Sequence, residues 1–197
     1  MLFNCKEISK KYTAQEIIDK TIAAAGSDKA ANAGFERFLN NKRIYIADST
    51  AMKYSESVNS VHYFALLPYG LNDAAVKKKL LKPVAIKGKE YYKIEISFDK
   101  ENGGKDFEDI FIYWIDKQNF TIDYLAYKFQ VNGGGMRFRE ATDENIINGI
   151  RFVNYNNYKP KEDTVSISNL DLSFMNDKLI KLSEIYLENI KVAFLEE

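Results

Sequence analysis

Hydrophobic and polar positions follow two periods along this chain. Between Thr13 and Gly26 the residues Ile17, Ile18, Thr21, Ile22 and Ala25 recur at helical spacing and mark one face. Thr13-Ala14-Gln15-Glu16 has the form of a capping box, and Gly26 is a natural stop after the last turn. The pattern predicts an amphipathic helix that needs a partner for its apolar side. Phe35 to Phe38 and Arg43 to Ala47 read as two short strands joined through Asn40-Asn41-Lys42. From Thr50 to Leu81 the period is helical again, with Met52, Ser55, Val58, Val61, Ala65 and Leu66 on one face, and Val61 to Leu67 compatible with extended chain as well. Pro68-Tyr69-Gly70 interrupts this run, and Asn72 is placed to cap a further helix ending at Leu81, before Pro83. The triplet Lys77-Lys78-Lys79 then falls in a solvated last turn, where cations complement the helix dipole.

Beyond residue 84 the period drops to two. Tyr92, Ile94, Ile96 and Phe98 alternate with Lys93, Glu95 and Ser97, the mark of a half-buried strand. Further strands are predicted over Phe107 to Asp116, Phe120 to Phe129, Met136 to Ala141 and Ile150 to Tyr158. Asn102-Gly103, Asn132-Gly133 and Asn148-Gly149 supply the positive φ angles of tight antiparallel turns. The result is a meander within an α+β fold, which excludes Rossmann and TIM-barrel architectures built from βαβ units. Ser166 to Leu172 and Leu187 to Phe194 are expected to extend the sheet.

Two strands are apolar on both sides. Phe111, Tyr113 and Ile115 oppose Ile110, Ile112 and Trp114; Ile122, Tyr124 and Ala126 oppose Leu125, Tyr127 and Phe129. Such strands must be covered on both faces, by helices, by curvature of the sheet, or by a ligand in a hydrophobic concavity.

Composition narrows the chemistry. The 197 residues carry 28 Lys+Arg and 28 Asp+Glu, so there is no basic excess of the kind a general nucleic-acid binder uses. One cysteine and one histidine exclude a Cys/His zinc site and an intrachain disulfide, and no cofactor motif occurs. No run of 18 apolar residues is present to form a membrane-spanning helix. The 14% of aromatic residues matters because it puts rings on both faces of the two-sided strands.

Several motifs carry a chemical and a structural reading. Asn132-Gly133-Gly134-Gly135-Met136-Arg137 looks like a phosphate-cradling loop but leads into a strand rather than a helix, which favours a hairpin turn. His62 is a candidate general base, yet no nucleophile elbow accompanies it, and a packed histidine is the plainer reading. Asp106, Glu108 and Asp109 read as a solvated strand entrance, and Lys87, Lys89 and Lys93 as exposed lysines unsuited to Schiff-base chemistry. Arg137 and Arg139 share a strand face and Arg151 lies on the next strand. Arginines so placed can hold a carboxylate or phosphate headgroup; cross-strand ion pairs with Glu95, Glu108 or Glu140 are the structural alternative. Leu2-Phe3-Asn4-Cys5, followed by a polar stretch, has the look of a lipoprotein signal ending at a lipidated Cys5; the plain alternative is a frayed terminus with an incidental thiol.

The segments Asn59 to Phe64, Pro68 to Asp73, Ile86 to Lys93, Asn132 to Ala141, and Asn148 through Pro160 resemble those of a family of Bacteroidota-type secreted lipoproteins with no established activity. The similarity spans about residues 12 to 195 and is most specific at Gly133-Gly-Gly-Met-Arg-Phe-Arg-Glu-Ala141. It implies the curved, incomplete β-barrel of the LolA/LolB lipoprotein carriers, with a few helices on the concave face, and an envelope location without catalytic residues. In that family several strands precede the segment matching Gly34 to Phe38, whereas here only Ser27 to Ala33 intervene, so an exposed sheet edge is expected.

Together these readings predict a tether over residues 1–12 and a single LolA-like domain over 13–197. The expected function is non-catalytic binding of a lipid or other apolar molecule in the concave face of the sheet. His62, Tyr63, Trp114, Tyr127, Arg137, Arg139 and Arg151 are the contact residues, and Cys5 is the membrane anchor. The alternatives are an interaction protein without a cavity, or a small hydrolase using His62.

Overall fold

In a computed structural model the chain is described over residues 11–25, 38–45, 61, 63–101, 107–130 and 133–193. Helix α1 spans Ala14–Ala25. Its start is the predicted capping box: Glu16 N–H donates to Thr13 Oγ1 at 3.2 Å, and the Thr13 N–H donates to Glu16 Oε2 at 2.9 Å. Strands β1 (Phe38–Leu39) and β2 (Lys42–Arg43) form a separate two-residue hairpin. Asn40 and Asn41 both adopt positive φ there, 49° and 60°, as a primed turn requires. Of the strands predicted over Phe35 to Phe38 and Arg43 to Ala47, Phe38 and Arg43 are in strands and Ile44 and Tyr45 are not, while residues 35–37 and 46–47 lie outside the described residues.

The main sheet contains β3 (Val76–Leu80), β4 (Val84–Ile86), β5 (Lys89–Phe98), β6 (Ile110–Asp116), β7 (Ile122–Phe129), β8 (Gly135–Ile147), β9 (Ile150–Pro160) and β10 (Leu179–Ile185). All pairings are antiparallel, in the order β10-β9-β8-β7-β6-β5-β3, with β4 also on β5. The sheet has eight strands and does not close into a barrel. Hairpin turns fall where glycine follows a residue at positive φ: Asn148-Gly149 as predicted, and also Lys87-Gly88. At the predicted Gly133-Gly134-Gly135 turn, φ is 88°, 74° and 148°. The triglycine segment is a hairpin connection, paired from Phe129↔Gly135 onward, and not a phosphate loop.

Three predicted elements are replaced. Asn72 to Leu81 is turn followed by strand β3, which pairs with β5 from Val76↔Phe98 to Leu80↔Ile94. Val76, Lys78 and Leu80 alternate as well as they spiral, and lysine's long apolar stem suits both faces; the sheet edge decides between them. Lys77 and Lys79 therefore stand on a strand, paired with Asp99 and Glu95. Ser166 to Leu172 is a 3-10 turn at Ile167–Asn169 and a short helix α2 at Leu170–Met175, not a strand. The strand predicted at Leu187 to Phe194 occurs earlier, as β10, and residues 186–193 are not in a strand. Of the helical period predicted from Thr50, residues 63–65 are helical and Thr50 to Ser60 lies outside the described residues.

Both faces of the sheet are covered. On the α1 face, Ile94, Ile96, Phe111, Tyr113, Ile115, Leu125 and Tyr155 pack against Ile17 and Ile18 of α1 and Phe64, Leu67 and Leu71 of the following segment. On the α2 face, Ile86, Tyr91, Ile112, Trp114, Tyr124 and Phe138 pack against Leu170 and Phe174. This is why β6 is buried from Phe111 through Asp116, as its two-sided apolar pattern required.

Candidate functional site

The predicted contact residues divide among three places. Tyr63, Tyr127 and Arg139 meet on the α1 face. The Tyr63 and Tyr113 hydroxyls share a hydrogen bond of 2.7 Å. The Arg139 guanidinium lies 3.7 Å from the Phe64 ring centroid, 5.4 Å from that of Tyr127 and 5.9 Å from that of Tyr155. Arg139 is 8% exposed and donates from Nη2 to the Tyr127 hydroxyl at 3.3 Å, while its buried Nε–H has no acceptor among the described residues. No carboxylate of a described residue forms an ion pair with it. Burial pushes the Tyr63 hydroxyl up to about 12 and outweighs the hydrogen bond from Tyr113. Burial also raises Tyr113 well above its ordinary value, and Tyr155 in the same direction.

Arg137 lies further along the same strand, its guanidinium 5.1 Å from the Phe129 ring centroid and its Nη1 donating to the Met136 carbonyl at 2.9 Å. Arg151 sits at the other end of the sheet, where Nε donates to Glu144 Oε2 at 2.7 Å. The predicted arginine ion pairs with Glu95, Glu108 or Glu140 do not form among the described residues. Glu95 takes Lys79, and Glu140 takes Lys87 at 2.7 Å with Tyr158 and Asn156. Burial pushes the Glu140 carboxyl up, but the hydrogen bonds from Lys87, Asn156 and Tyr158 prevail and hold it below its ordinary range. His62, Asp106 and Cys5 lie outside the described residues; Glu108 is exposed and Asp109 half-buried at the entrance to β6.

Trp114 is corrected from contact residue to core. It is fully buried on the α2 face, opposite Tyr63 and Arg139, and its Nε1–H donates to Asp171 Oδ2 at 3.1 Å. The same Asp171 oxygen accepts from Lys93 Nζ at 2.8 Å, and Lys93 also donates to the Ser168 carbonyl. Lys93, predicted to be exposed, is 7% exposed. The cause is the sheet register: Lys93 is strand neighbour to Trp114, and a strand beside a two-sided apolar strand shares its cover.

Sequence reasoning also missed an open recess of about 650 Å³ at the end of the sheet. Strands β8 and β9 run past β7, whose last partner pair is Tyr124↔Glu140, and shift register between Ala141 and Glu144. The resulting two-stranded arm walls the recess against Lys89, Tyr91, Thr121 and Asp123. Bulges of this kind re-aim a strand at a sheet rim. Asp123 is held there by the Tyr91 hydroxyl at 3.1 Å and the Thr121 hydroxyl at 2.9 Å. Among the described residues no group of three or more His, Cys, Asp or Glu side chains is arranged to hold a metal ion.

The model of a family of unknown function, DUF6503, matches residues 3–188. The chain belongs to that family. Nothing in the description of DUF6503 indicates a catalytic activity. No curated protein and no solved structure matches the chain. No helix among the described residues is long and apolar enough to cross a membrane.

Proposed function

We propose that the protein is a non-catalytic binding protein of the cell envelope, with a LolA/LolB-like open sheet, that anchors an amphiphile through Arg139. The observation that carries this reading is the buried guanidinium with an unsatisfied Nε–H among the described residues. Arginine keeps its proton at any accessible pH, so burial leaves a charge that calls for a counter-ion. The rings around it offset part of that cost, about 0.5–2 kcal/mol for a cation–π contact, and the Tyr127 hydroxyl accepts from Nη2, but no described group accepts from Nε. A carboxylate or phosphate headgroup supplies both the charge and the acceptors. Its apolar part would then lie among Tyr63, Phe64 and Tyr127. Support for an envelope location rests on the Leu2-Phe3-Asn4-Cys5 pattern and the resemblance to secreted lipoproteins, with Cys5 as the lipidation site.

The test is native mass spectrometry of the protein isolated from its own envelope, with solvent extraction of whatever accompanies it. An anionic lipid or fatty acid should accompany the wild type and be lost in Arg139→Gln. A second reading, an interaction protein without a cavity, is favoured by the cover over both faces of the sheet. A ligand-free wild type, or a ligand retained equally by Arg139→Gln, would overturn the Arg139 anchor in favour of that second reading.

A further inference from the structure

The recess at the end of the sheet lies apart from Arg139 and has a different chemistry. Charges of both signs line it: Lys87, Lys89 and Arg151 against Asp123 and Glu144, with Lys87 already tied to Glu140 at 2.7 Å. Asp123 is positioned from two sides by Tyr91 and Thr121. Lys89 Nζ sits 3.8 Å from Asp123 Oδ2 and 3.9 Å from Asp116 Oδ2, near both carboxylates but too far to hydrogen-bond either. Arg151 is largely buried, with its side chain 11% exposed, whereas its partner Glu144 is 51% exposed and can swing away. The contacts of Lys89, which is 62% exposed, contribute little to stability, and a ligand anion that takes the place of Glu144 leaves the Arg151 guanidinium paired.

That arrangement repels a plain anion through Asp123 and Glu144, and a plain cation through Lys89 and Arg151. We propose that the recess binds a zwitterion carrying a phosphate beside a primary ammonium group. The phosphate takes the Arg151 fork and the Lys89 ammonium, while the ligand's ammonium donates to Asp123 and to the released Glu144. A trimethylammonium group has no N–H to donate and is discriminated against.

Isothermal titration of the full chain with phosphoethanolamine tests the site, with inorganic phosphate, ethylamine and phosphocholine as comparisons. Phosphoethanolamine should bind at least about tenfold more tightly than any of the three, since the loss of one charge-assisted pair removes that much or more. Lys89→Gln, at an exposed position, and Asp123→Asn should each weaken it about tenfold or more while leaving the circular dichroism spectrum unchanged. Sedimentation with vesicles of phosphatidylethanolamine against phosphatidylcholine separates the sources. Vesicle binding confined to the first assigns a lipid headgroup; binding of the soluble compound without vesicle binding assigns a free metabolite. Either supports the site. Inorganic phosphate binding as tightly as phosphoethanolamine, or folded protein binding neither phosphoethanolamine nor the vesicles, overturns it. The Arg139→Gln variant should bind phosphoethanolamine normally, so failure at one site is distinguishable from failure at the other.

Discussion

Replacing Asp171 with alanine should be among the most damaging single changes in this protein. Its carboxylate is 1% exposed and accepts from three donors: Lys93 Nζ at 2.8 Å, Trp114 Nε1 at 3.1 Å and the Leu172 backbone N–H at 2.9 Å. Removing it leaves a buried ammonium whose remaining described acceptor is the Ser168 carbonyl. Breaking a buried ion pair from one side costs about 3–5 kcal/mol, and stranding the indole N–H adds to that within the same network, so about 4 kcal/mol is expected overall. Against a typical total of about 5–15 kcal/mol this is a large share. With a urea m-value of about 2–3 kcal/mol/M, the unfolding midpoint should fall by about 1.3–2 M. The assay is built in, because Trp114 is the chain's single tryptophan and lies at the cluster. Its fluorescence should report unfolding and also shift in the native variant. The double replacement Lys93→Met with Asp171→Leu should recover most of the loss, since a buried pair exchanged for apolar groups of similar volume is often neutral. A loss below about 1 kcal/mol for Asp171→Ala, the level of a single ordinary hydrogen bond, would refute the reasoning. So would a double variant no more stable than the single one.

Two further outcomes test the packing elsewhere. Burial raises the hydroxyls of Tyr63, Tyr124 and Tyr158 to about 12. A raised folded-state value means the stabilisation is complete below the unfolded value near 10 and is lost as pH climbs through about 12. Ultraviolet titration should therefore show a delayed phenolate fraction in the native protein, and urea stability should decline between about pH 10 and 12; the full complement of phenolates appearing near pH 10 in folded protein would contradict this burial. In the β7–β8 turn, Gly134 has φ +74° and a Cβ there would meet the Phe129 carbonyl oxygen at 3.1 Å, whereas Gly133 at φ +88° faces open space. Gly134→Ala should cost about 1–2 kcal/mol for the left-handed conformation plus the close contact, and Gly133→Ala the conformational part alone. Equal midpoints for the two variants in denaturant unfolding would argue against the close approach.

The chain's local patterns were enough to define much of the sheet. Period-two alternation and the turns at Gly133 and Asn148-Gly149 located strands β5 to β9, because antiparallel neighbours joined by short turns are specified by residues close in sequence. The capping box did the same for α1. The two-sided apolar character of β6 correctly required cover on both faces, but parity within one strand could not say which residues of different strands share a face, and Trp114 was grouped with Arg139 although the two lie on opposite faces. What local pattern could not settle was any segment with more than one acceptable conformation. Val76-Lys-Lys-Lys-Leu80 suits a helix or an edge strand, and β5 chose the strand. Residues 166–172 suit a strand or a helix, and the demand of Lys93 for the Asp171 carboxylate favours the short helix. Burial of Lys93 and Trp114, the stacking of Arg139 on Phe64, and the recess walled by the overrunning β8–β9 arm all join residues far apart in sequence. Their partners are chosen by sheet register and by what packs above it, and those are properties of the folded whole.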